Sequence, residues 1–215
     1  MTPLQIETFA RRLMNAESSQ FWSQAEIIEN YLYTCALELA TETLCIQNRY
    51  TTPSVASQQE YTVPSRMISV LRVDYNGEKL KPISFKQLDS IDLNTNTTTT
   101  GTPQYYYHFD DVFGLFPVPD TAALTITIHS YDEPSQTTAV STLEIPTRYH
   151  NYLAQGVAYL MSLKELGHPN TAHFERKWAQ AIFKVKRTER GLKNRDTFNR
   201  VIREEDLPQT YLGAN

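Results

Sequence analysis

Apolar residues recur at helical spacing through the first 46 residues of the chain. Thr2 and Gln5 have the spacing of a capping box and predict a short amphipathic helix at the N-terminus. Ser23 and Glu26 repeat that spacing, so we predict a second and longer helix over about residues 24–46. The first third of the chain is therefore expected to be helical.

The predicted helix 24–46 carries apolar residues on two sides. The first stripe comprises Ile28, Tyr31, Leu32, Cys35 and Leu39, and the second comprises Tyr33, Leu37, Ala40 and Leu44. A helix that is apolar on two sides packs between neighbours on both sides. We expect the second stripe to be an intersubunit face between copies of the same chain.

The periodicity changes from helical to strand-like after about residue 58. The segment "RMISVLRVDYNGEKL" alternates apolar and polar residues, and Asn76-Gly77 within it is a strong signal for a two-residue hairpin. Leu124, Ile126 and Ile128 alternate with polar residues in "ALTITIHSY", which predicts a half-buried antiparallel strand. We therefore predict a β domain over residues 58–138.

An aromatic segment lies inside this predicted β domain, in "TGTPQYYYHFDDVFGLFPVPD". If it forms a hairpin turning at Asp110 and Asp111, then Tyr105, Tyr107 and Phe109 point to one face. One face of such a ribbon could cover the β core while the other contacts the tail or a neighbouring copy. The alternative is that both faces are covered within the monomer.

Helical spacing returns in the last third of the chain. Thr147 and Asn170 are candidate N-caps for two successive helices, and Gly167 with Pro169 separates them. Beyond Gly191 the periodicity weakens, so an extended C-terminal arm is predicted. The expected fold is α+β, with a helical bundle formed by the N- and C-terminal thirds and an inserted antiparallel β domain. Its segments are N-terminal helices 1–57, β domain 58–138, helical hairpin 139–190 and arm 191–215.

Charge is unevenly distributed along the chain, whose net charge is -4. Between Lys164 and Arg203, eleven Lys or Arg residues stand against four acids, whereas residues 1–163 carry nine basic and seventeen acidic residues. Such a basic segment attracts either nucleic acid or an acidic partner, and it can also be an ordinary solvated helix face. The candidate contact residues are Lys184, Lys186, Arg187 and Arg190.

Motifs for catalysis, cofactor binding or metal binding are missing from the sequence. The seven glycines are never closer than eleven residues apart, which excludes the glycine-rich loops that hold phosphates. No two histidines have the i, i+4 spacing of a helical zinc site. Cys35 and Cys45 would lie about 15 Å apart on one helix, too far for a disulfide. We expect no catalytic residue, cofactor or metal, and no enzymatic activity.

Several short motifs together resemble the head-to-tail adaptor (connector) proteins of tailed bacteriophages. The resemblance covers about residues 20–190, and the order and spacing of the motifs carry it. They are Gly101-x-Pro103-x-x-Tyr106, Phe116-Pro117-x-Pro119-Asp120, Tyr131-x-x-Pro134, Ile145-Pro146 and Tyr149-His150.

The resemblance implies a structural virion protein at the head-tail interface, assembled in the host cytoplasm. It implies a ring of about twelve copies between the portal protein and a downstream tail or nozzle protein, with DNA passing through the centre. In some such adaptors the C-terminal segment embraces the portal. The corresponding apolar anchors of the predicted arm are Phe198, Val201, Ile202, Leu207, Tyr211 and Leu212.

Two other functions compete with this interpretation. The first is a small ligand- or glycan-binding module that uses the aromatic hairpin. The second is a hydrolase with Asp110 or Asp111 as its acid, although adjacent residues on a strand point to opposite faces. The sequence begins without the basic and apolar regions of a signal peptide, and no apolar run is long enough to span a bilayer, so no membrane association is expected.

Overall fold

The computed structural model describes residues 1–91, 99–109, 112–165 and 168–198. Two compact units are present. The helical unit comprises Met1–Cys35, Thr138–Ser141 and the chain from Thr147 onward, and the sheet unit comprises Ala36–Thr137 and Thr142–Pro146. No helix in the described ranges is long and apolar enough to cross a membrane.

In the described ranges the α-helices are α1 to α5, with a π-helical segment directly before α2 and a 3-10 turn at Thr147–Tyr149 directly before α4. Their bounds are Pro3–Leu13 for α1, Glu26–Leu32 for the π-helix, Tyr33–Thr43 for α2, Phe85–Ile91 for α3, His150–Lys164 for α4 and Thr171–Phe198 for α5. Thr2 caps α1: the Gln5 backbone N–H donates to Thr2 Oγ1 at 3.2 Å, and the Thr2 N–H donates to Gln5 Oε1 at 2.9 Å. The capping box predicted at the N-terminus is thus confirmed.

The predicted helix 24–46 is present with two differences. Ser23 accepts a hydrogen bond from the Glu26 backbone N–H at 3.1 Å, as a cap does, but the first seven residues of the helix form a π-helix. The helix ends at Thr43, where Leu44 adopts a positive φ of 53°. Cys45 therefore lies beyond the helix, and it and Cys35 are both buried thiols.

Close contact around Gly156 of α4 joins three parts of the helical unit. A Cβ atom on Gly156 would lie 2.8 Å from Cys35 Sγ and 2.9 Å from an aromatic carbon of Trp178 on α5. Real Cβ atoms essentially never approach that closely, so the helices can meet here only because the residue is glycine. α4 also packs against α1, whose Ile6 and Ala10 are completely buried.

In the described part of the sheet unit, ten strands form three sheets. The strands are Gln47–Pro53, Glu60–Thr62, Met67–Tyr75, Glu78–Lys79, Lys81–Pro82, Thr100–Gly101, Tyr105–Phe109, Val112–Phe116, Val118–Pro119 and Thr125–Asp132, here β1 to β10. The sheet orders are β1-β10-β3-β4, β2-β8-β7-β5 and β6-β9. The hairpin predicted at Asn76-Gly77 is confirmed: both residues have positive φ, and Tyr75 pairs with Glu78.

Apolar side chains of the two four-stranded sheets share one core. Its members are Tyr61, Val73, Tyr75, Leu80, Tyr106, Phe113, Leu115, Ile126 and Ile128. A second cluster lies on the other face of the β7-β8 hairpin and consists of Ile83, Leu88, Tyr107 and Phe116, with Tyr105 packed against it. Tyr106 and Tyr107 thus serve two different cores, as the alternation of side chains along a strand requires.

The predicted architecture was wrong, although the α+β class is consistent with the structure. The N-terminal third does not form one bundle with the C-terminal helices, because the chain enters the sheet unit at Ala36 and then forms β1, which pairs with β10. The inserted region is not purely antiparallel, since β5-β7 and β6-β9 are parallel pairs. α5 continues through Gly191 to Phe198, so a helix occupies the first residues of the predicted arm.

The physical reason for the missed β1 is its composition. Its sequence "QNRYTTP" has a burial pattern that alternates only between exposed and half-buried residues, so no apolar alternation marks it as a strand. Backbone pairing with β10 forms it instead. The four predicted segment boundaries stay predictions about folding units, because contacts do not test whether each segment folds independently.

Candidate interaction surfaces

α5 buries one face and exposes a basic one. Its inner face carries Phe174, Trp178, Ala181, Val185 and Glu189, all buried and spaced at three or four residues. The outer face near the middle of the helix carries Phe183, Lys184, Arg187 and Arg190, which we call the basic face. Phe183 is 67% exposed, and the three cations are exposed as well. An apolar ring among cations at the surface is suited to a partner that is both acidic and apolar.

Glu189, which precedes Arg190 in the sequence, has its carboxylate bound on the inner side of the helix. It is 5% exposed, and its Oε1 accepts hydrogen bonds from the Tyr149 hydroxyl at 2.5 Å and from Arg148 Nη2 at 2.7 Å. Burial, together with the hydrogen bond to this carboxylate, raises the pKa of Tyr149 to about 12. Glu189 is thus neutralised by Arg148 and leaves the charge of the outer face uncompensated.

The exposed outer side of α5 continues toward the start of the helix. A shallow cavity of about 190 Å³ is lined there by His173, Arg176, Lys177 and Gln180. The predicted contact Lys186 is half-buried, in contrast to Lys184, Arg187 and Arg190. The basic character found in the sequence therefore extends along most of the exposed side of one helix.

The aromatic hairpin packs mostly within the sheet unit. β7 and β8 pair antiparallel with Tyr107 opposite Gly114, as the hairpin prediction required. Tyr107 is buried, and its hydroxyl donates to Glu60 Oε1 at 3.1 Å. Tyr105 is half-buried, whereas Phe109 is 62% exposed. The Phe109 ring contacts the exposed Phe85 ring edge-on, with the two ring centroids 5.3 Å apart.

Only part of the predicted intersubunit helix face is accessible. Ala40 is completely buried within the chain, while Tyr33, Leu37 and Leu44 are half-buried. A contact between copies through this face would involve those three side chains. That role stays a prediction.

Comparison with known protein families decides the identity of the chain. The model of the SU10 adaptor protein family matches residues 1–202. The chain belongs to the SU10 adaptor protein family. It is a phage structural adaptor and hence a component of the virion, which confirms the family resemblance inferred from the sequence motifs. A search of curated proteins found no significant match.

The family match reaches into the segment proposed to contact the portal. Phe198 is the last residue of α5. The other anchors of the predicted arm, Val201, Ile202, Leu207, Tyr211 and Leu212, lie outside the described residues, as do Asp110 and Asp111. The contacts of this SU10 adaptor protein with the portal therefore stay a prediction.

Among the described residues of this SU10 adaptor protein, no group of three or more His, Cys, Asp or Glu side chains is arranged to bind a metal ion.

Three exposed aromatic residues among those described were not recognised in the sequence. Phe21, Phe85 and Phe183 were not predicted as contact residues, yet all three are exposed. A signal for Phe183 was present, because it falls outside the stripe of Phe174, Trp178, Ala181 and Val185 that forms the inner face of α5. An apolar residue outside the core stripe of an amphipathic helix marks an exposed surface.

Proposed function

We propose that this SU10 adaptor protein forms a ring between the portal and the tail, with DNA passing through the centre. The observation that carries the proposal is the family match, which extends over both compact units. We further propose that the ring has about twelve copies, as implied by the resemblance to connector proteins, and that it is assembled in the host cytoplasm.

Exposed apolar side chains support self-association. In the sheet unit, Phe85, Phe109 and Leu71 are each at least 41% exposed. Half-buried Tyr33 and Leu37 add apolar surface on α2. Ring assembly would bury such side chains against the next copy and stabilise the assembly by about 25 cal/mol for each Å² of apolar surface removed from water.

The remaining surfaces fit the other proposed partners. The residues of the basic face, with half-buried Lys186, are proposed to meet either DNA in the channel or an acidic protein surface. We propose that the segment from Phe198 onward contacts the portal. The sheet unit is proposed to contact the downstream tail protein or a neighbouring copy through Tyr105, Tyr107 and Phe109. For Tyr107, which is buried in the free chain, that contact would be indirect.

A ligand-binding hairpin is less well supported. Tyr106 and Tyr107 pack into two separate clusters of the sheet unit, so the three consecutive tyrosines do not form an open platform for a glycan. Structural adaptor families are not usually enzymatic, and we propose that this chain is not an enzyme.

The proposal is tested by imaging and by native mass spectrometry, with the purified chain alone and with particles that contain the portal but lack the tail. We expect ring-shaped assemblies, at least when portal is present. Phe109→Ser should weaken assembly or the attachment of the tail protein, because it removes an exposed aromatic contact. Val140→Ser is the matched control, since Val140 is 93% exposed and far outside the proposed contacts in sequence. A chain that stays monomeric and never binds these particles contradicts the proposal.

A further inference from the structure

Side chains five residues apart are aligned in the π-helical segment Glu26–Leu32. The Tyr31 hydroxyl donates a hydrogen bond to Glu26 Oε1 at 2.7 Å. Ile27 and Leu32, which are also five residues apart, are both completely buried. In an α-helix, residues at this spacing lie about 140° apart around the axis, so the two members of each pair would point to different sides. The π-helical register, in which the backbone bonds span five residues, brings both pairs into line.

Lys164, the last residue of α4, contacts the same carboxylate from a second helix of the helical unit. Its Nζ donates to Glu26 Oε1 at 2.7 Å and to Glu26 Oε2 at 2.8 Å. Hydrogen bonds from Lys164 and from Tyr31 lower the pKa of Glu26, so this carboxylate is charged at neutral pH. We call Glu26, Tyr31 and Lys164 the register contacts.

The π-helical register is rare in proteins, so specific contacts are needed to select it over the α-helical one. We propose that the register contacts hold residues 26–32 in the π register and thereby position the exposed side of α2 for contact with the next copy. They can do so because the Tyr31 hydroxyl reaches the Glu26 carboxylate only when residues five apart are aligned. Lys164 then fixes that carboxylate on the side of α4.

The register of this segment sets the direction of the side chains that follow it. A π-helix has more residues in each turn, so its seven residues turn the chain through a smaller angle than seven α-helical residues do. Cys35 follows with its Sγ against Gly156, 2.8 Å from where a Cβ of that residue would lie. Tyr33 follows with its ring partly accessible. In the α register both side chains would be rotated about the helix axis, away from these positions.

The assembly role of the register contacts rests on the proposed ring and on the predicted intersubunit face. Tyr33 and Leu37 are half-buried members of that face. They are four residues apart on α2, so they lie on one side of the helix and a change of register moves them together. The register itself is a property of the single chain and does not require that a ring forms.

A disulfide between residues five apart reports the register directly. In an α-helix the rise alone separates such Cα atoms by about 7.5 Å, which exceeds the limit of about 7 Å for a disulfide. Ala25 and Asn30 are exposed at this spacing in the π segment and its N-cap, so the Ala25→Cys, Asn30→Cys chain should oxidise to a disulfide. Glu175→Cys, Gln180→Cys is the matched control: both positions are exposed in α-helical α5, and no disulfide should form. Absence of the disulfide between positions 25 and 30 overturns the proposal.

Substitutions of the register contacts are then compared in the Ala25→Cys, Asn30→Cys chain. Glu26→Ala removes the acceptor of both hydrogen bonds, and the disulfide should form about tenfold more slowly, the factor by which loss of a hydrogen bond to a charged group shifts an equilibrium. Glu26→Gln keeps an acceptor oxygen and should retain most of the rate, and Tyr31→Phe should fall between the two. Tyr33→Phe is the control and should change nothing. An unchanged rate in Glu26→Ala overturns the proposal.

Alkylation of the two native thiols separates a changed register from unfolding. Cys35 and Cys45 are both buried, and Cys45 lies beyond the end of α2. In chains without added cysteines, a changed register should make Cys35 react with N-ethylmaleimide while Cys45 stays protected, whereas unfolding exposes both. If Glu26→Ala unfolds the chain, the milder Tyr31→Phe substitution decides. Equal protection of Cys35 in Tyr31→Phe and in the wild type would then contradict the proposal.

Assembly on particles that contain the portal tests the positioning role. Glu26→Ala should assemble less than the wild type because Tyr33 and Leu37 are displaced, whereas Glu26→Gln should assemble as the wild type does. A changed register with unchanged assembly refutes the positioning role and leaves the proposed ring untouched. A wild-type chain that never assembles contradicts the ring and the positioning role together, but the disulfide result on the register stands by itself.

Discussion

Replacing Gly114 by alanine should specifically disrupt the core beneath the aromatic hairpin. Gly114 lies in β8 between Glu60 of β2 and Tyr107 of β7, and it pairs with both. The Tyr107 ring lies across the bare glycine backbone, so that its hydroxyl reaches the Glu60 carboxylate. A Cβ atom on Gly114 would stand 2.0 Å from the Cζ atom of that ring.

The expected loss of stability follows from the packing and the hydrogen bond that the Tyr107 ring would lose. Tyr107 is buried in a cluster with Ile83, Leu88 and Phe116, so it has little room to move. Overpacking of a core costs about 1–3 kcal/mol. Breaking the hydrogen bond to a carboxylate adds about 1.5–3 kcal/mol. We therefore expect Gly114→Ala to lower the free energy of unfolding of the protein by about 3 kcal/mol or more, with a Tm lower by about 6–12 °C for a chain of this size.

Calorimetry and urea denaturation followed by circular dichroism provide the measurement. Both tryptophans, Trp22 and Trp178, lie in the helical unit, so tryptophan fluorescence reports that unit separately. Gly101→Ala is the matched control, because its Cβ would meet only Pro117 at an ordinary 3.8 Å. The control should change the Tm much less.

A double-mutant cycle tests the stated mechanism. In the Tyr107→Leu background the overlapping atoms are absent, so Gly114→Ala should cost at least about 1.5 kcal/mol less than in the wild type. Two results would refute the reasoning: an unchanged stability of Gly114→Ala, or a cost that is the same in both backgrounds. The second outcome would mean that the ring over Gly114 does not cause the loss.

Three further predictions concern the helical unit. Gly156→Ala should destabilise the protein by about 1–3 kcal/mol through overpacking. Gly191→Ala in α5 should stabilise it by up to about 1 kcal/mol, because no atom lies within 4 Å of the added Cβ. Equal effects of the two substitutions in urea denaturation would contradict this prediction. Tyr149→Phe should cost about 1–3 kcal/mol, because the buried carboxylate that its hydroxyl contacts loses a donor; an unchanged midpoint would contradict that role. Hydrogen bonding from Lys164 lowers the pKa of Glu26 from its ordinary value of 4.5, so this pair stabilises the fold above pH 4.5 and the gain is lost as the pH falls through the lowered pKa. Glu26→Gln should therefore flatten the stability profile below pH 4.5, and a profile parallel to that of the wild type would exclude the effect.

Local signals predicted the elements whose formation depends on nearby residues. The Thr2 capping box and the Asn76-Gly77 turn need only a few neighbouring atoms, and both are present. β1 depends instead on its pairing with β10, about 80 residues away, and nothing in its own polar sequence shows it. Likewise Gly191 resembles a helix end, but it lacks the positive φ of a cap and lies inside α5.

The candidate surfaces were predicted less completely than the fold elements, for a related reason. Periodicity identifies which residues are apolar on one face, but not what covers that face. Ala40 and Tyr107 were predicted as contact residues and are buried within the chain, while Tyr33 and Leu37 remain partly accessible. Only the packing of the other elements separates these cases.

Phe183 and Phe109 are exposed aromatic residues that the periodic pattern places differently. Phe183 falls outside the inner stripe of α5, whereas Phe109 continues the alternation of Tyr105 and Tyr107 to the end of β7. Neither side chain is buried among the described residues. We propose that a partner covers each ring in the assembled virion. Substituting Phe183 or Phe109 by serine should therefore change association while leaving the Tm of the free chain within about 2 °C, since substitutions at such exposed positions change stability by about 0.5 kcal/mol or less.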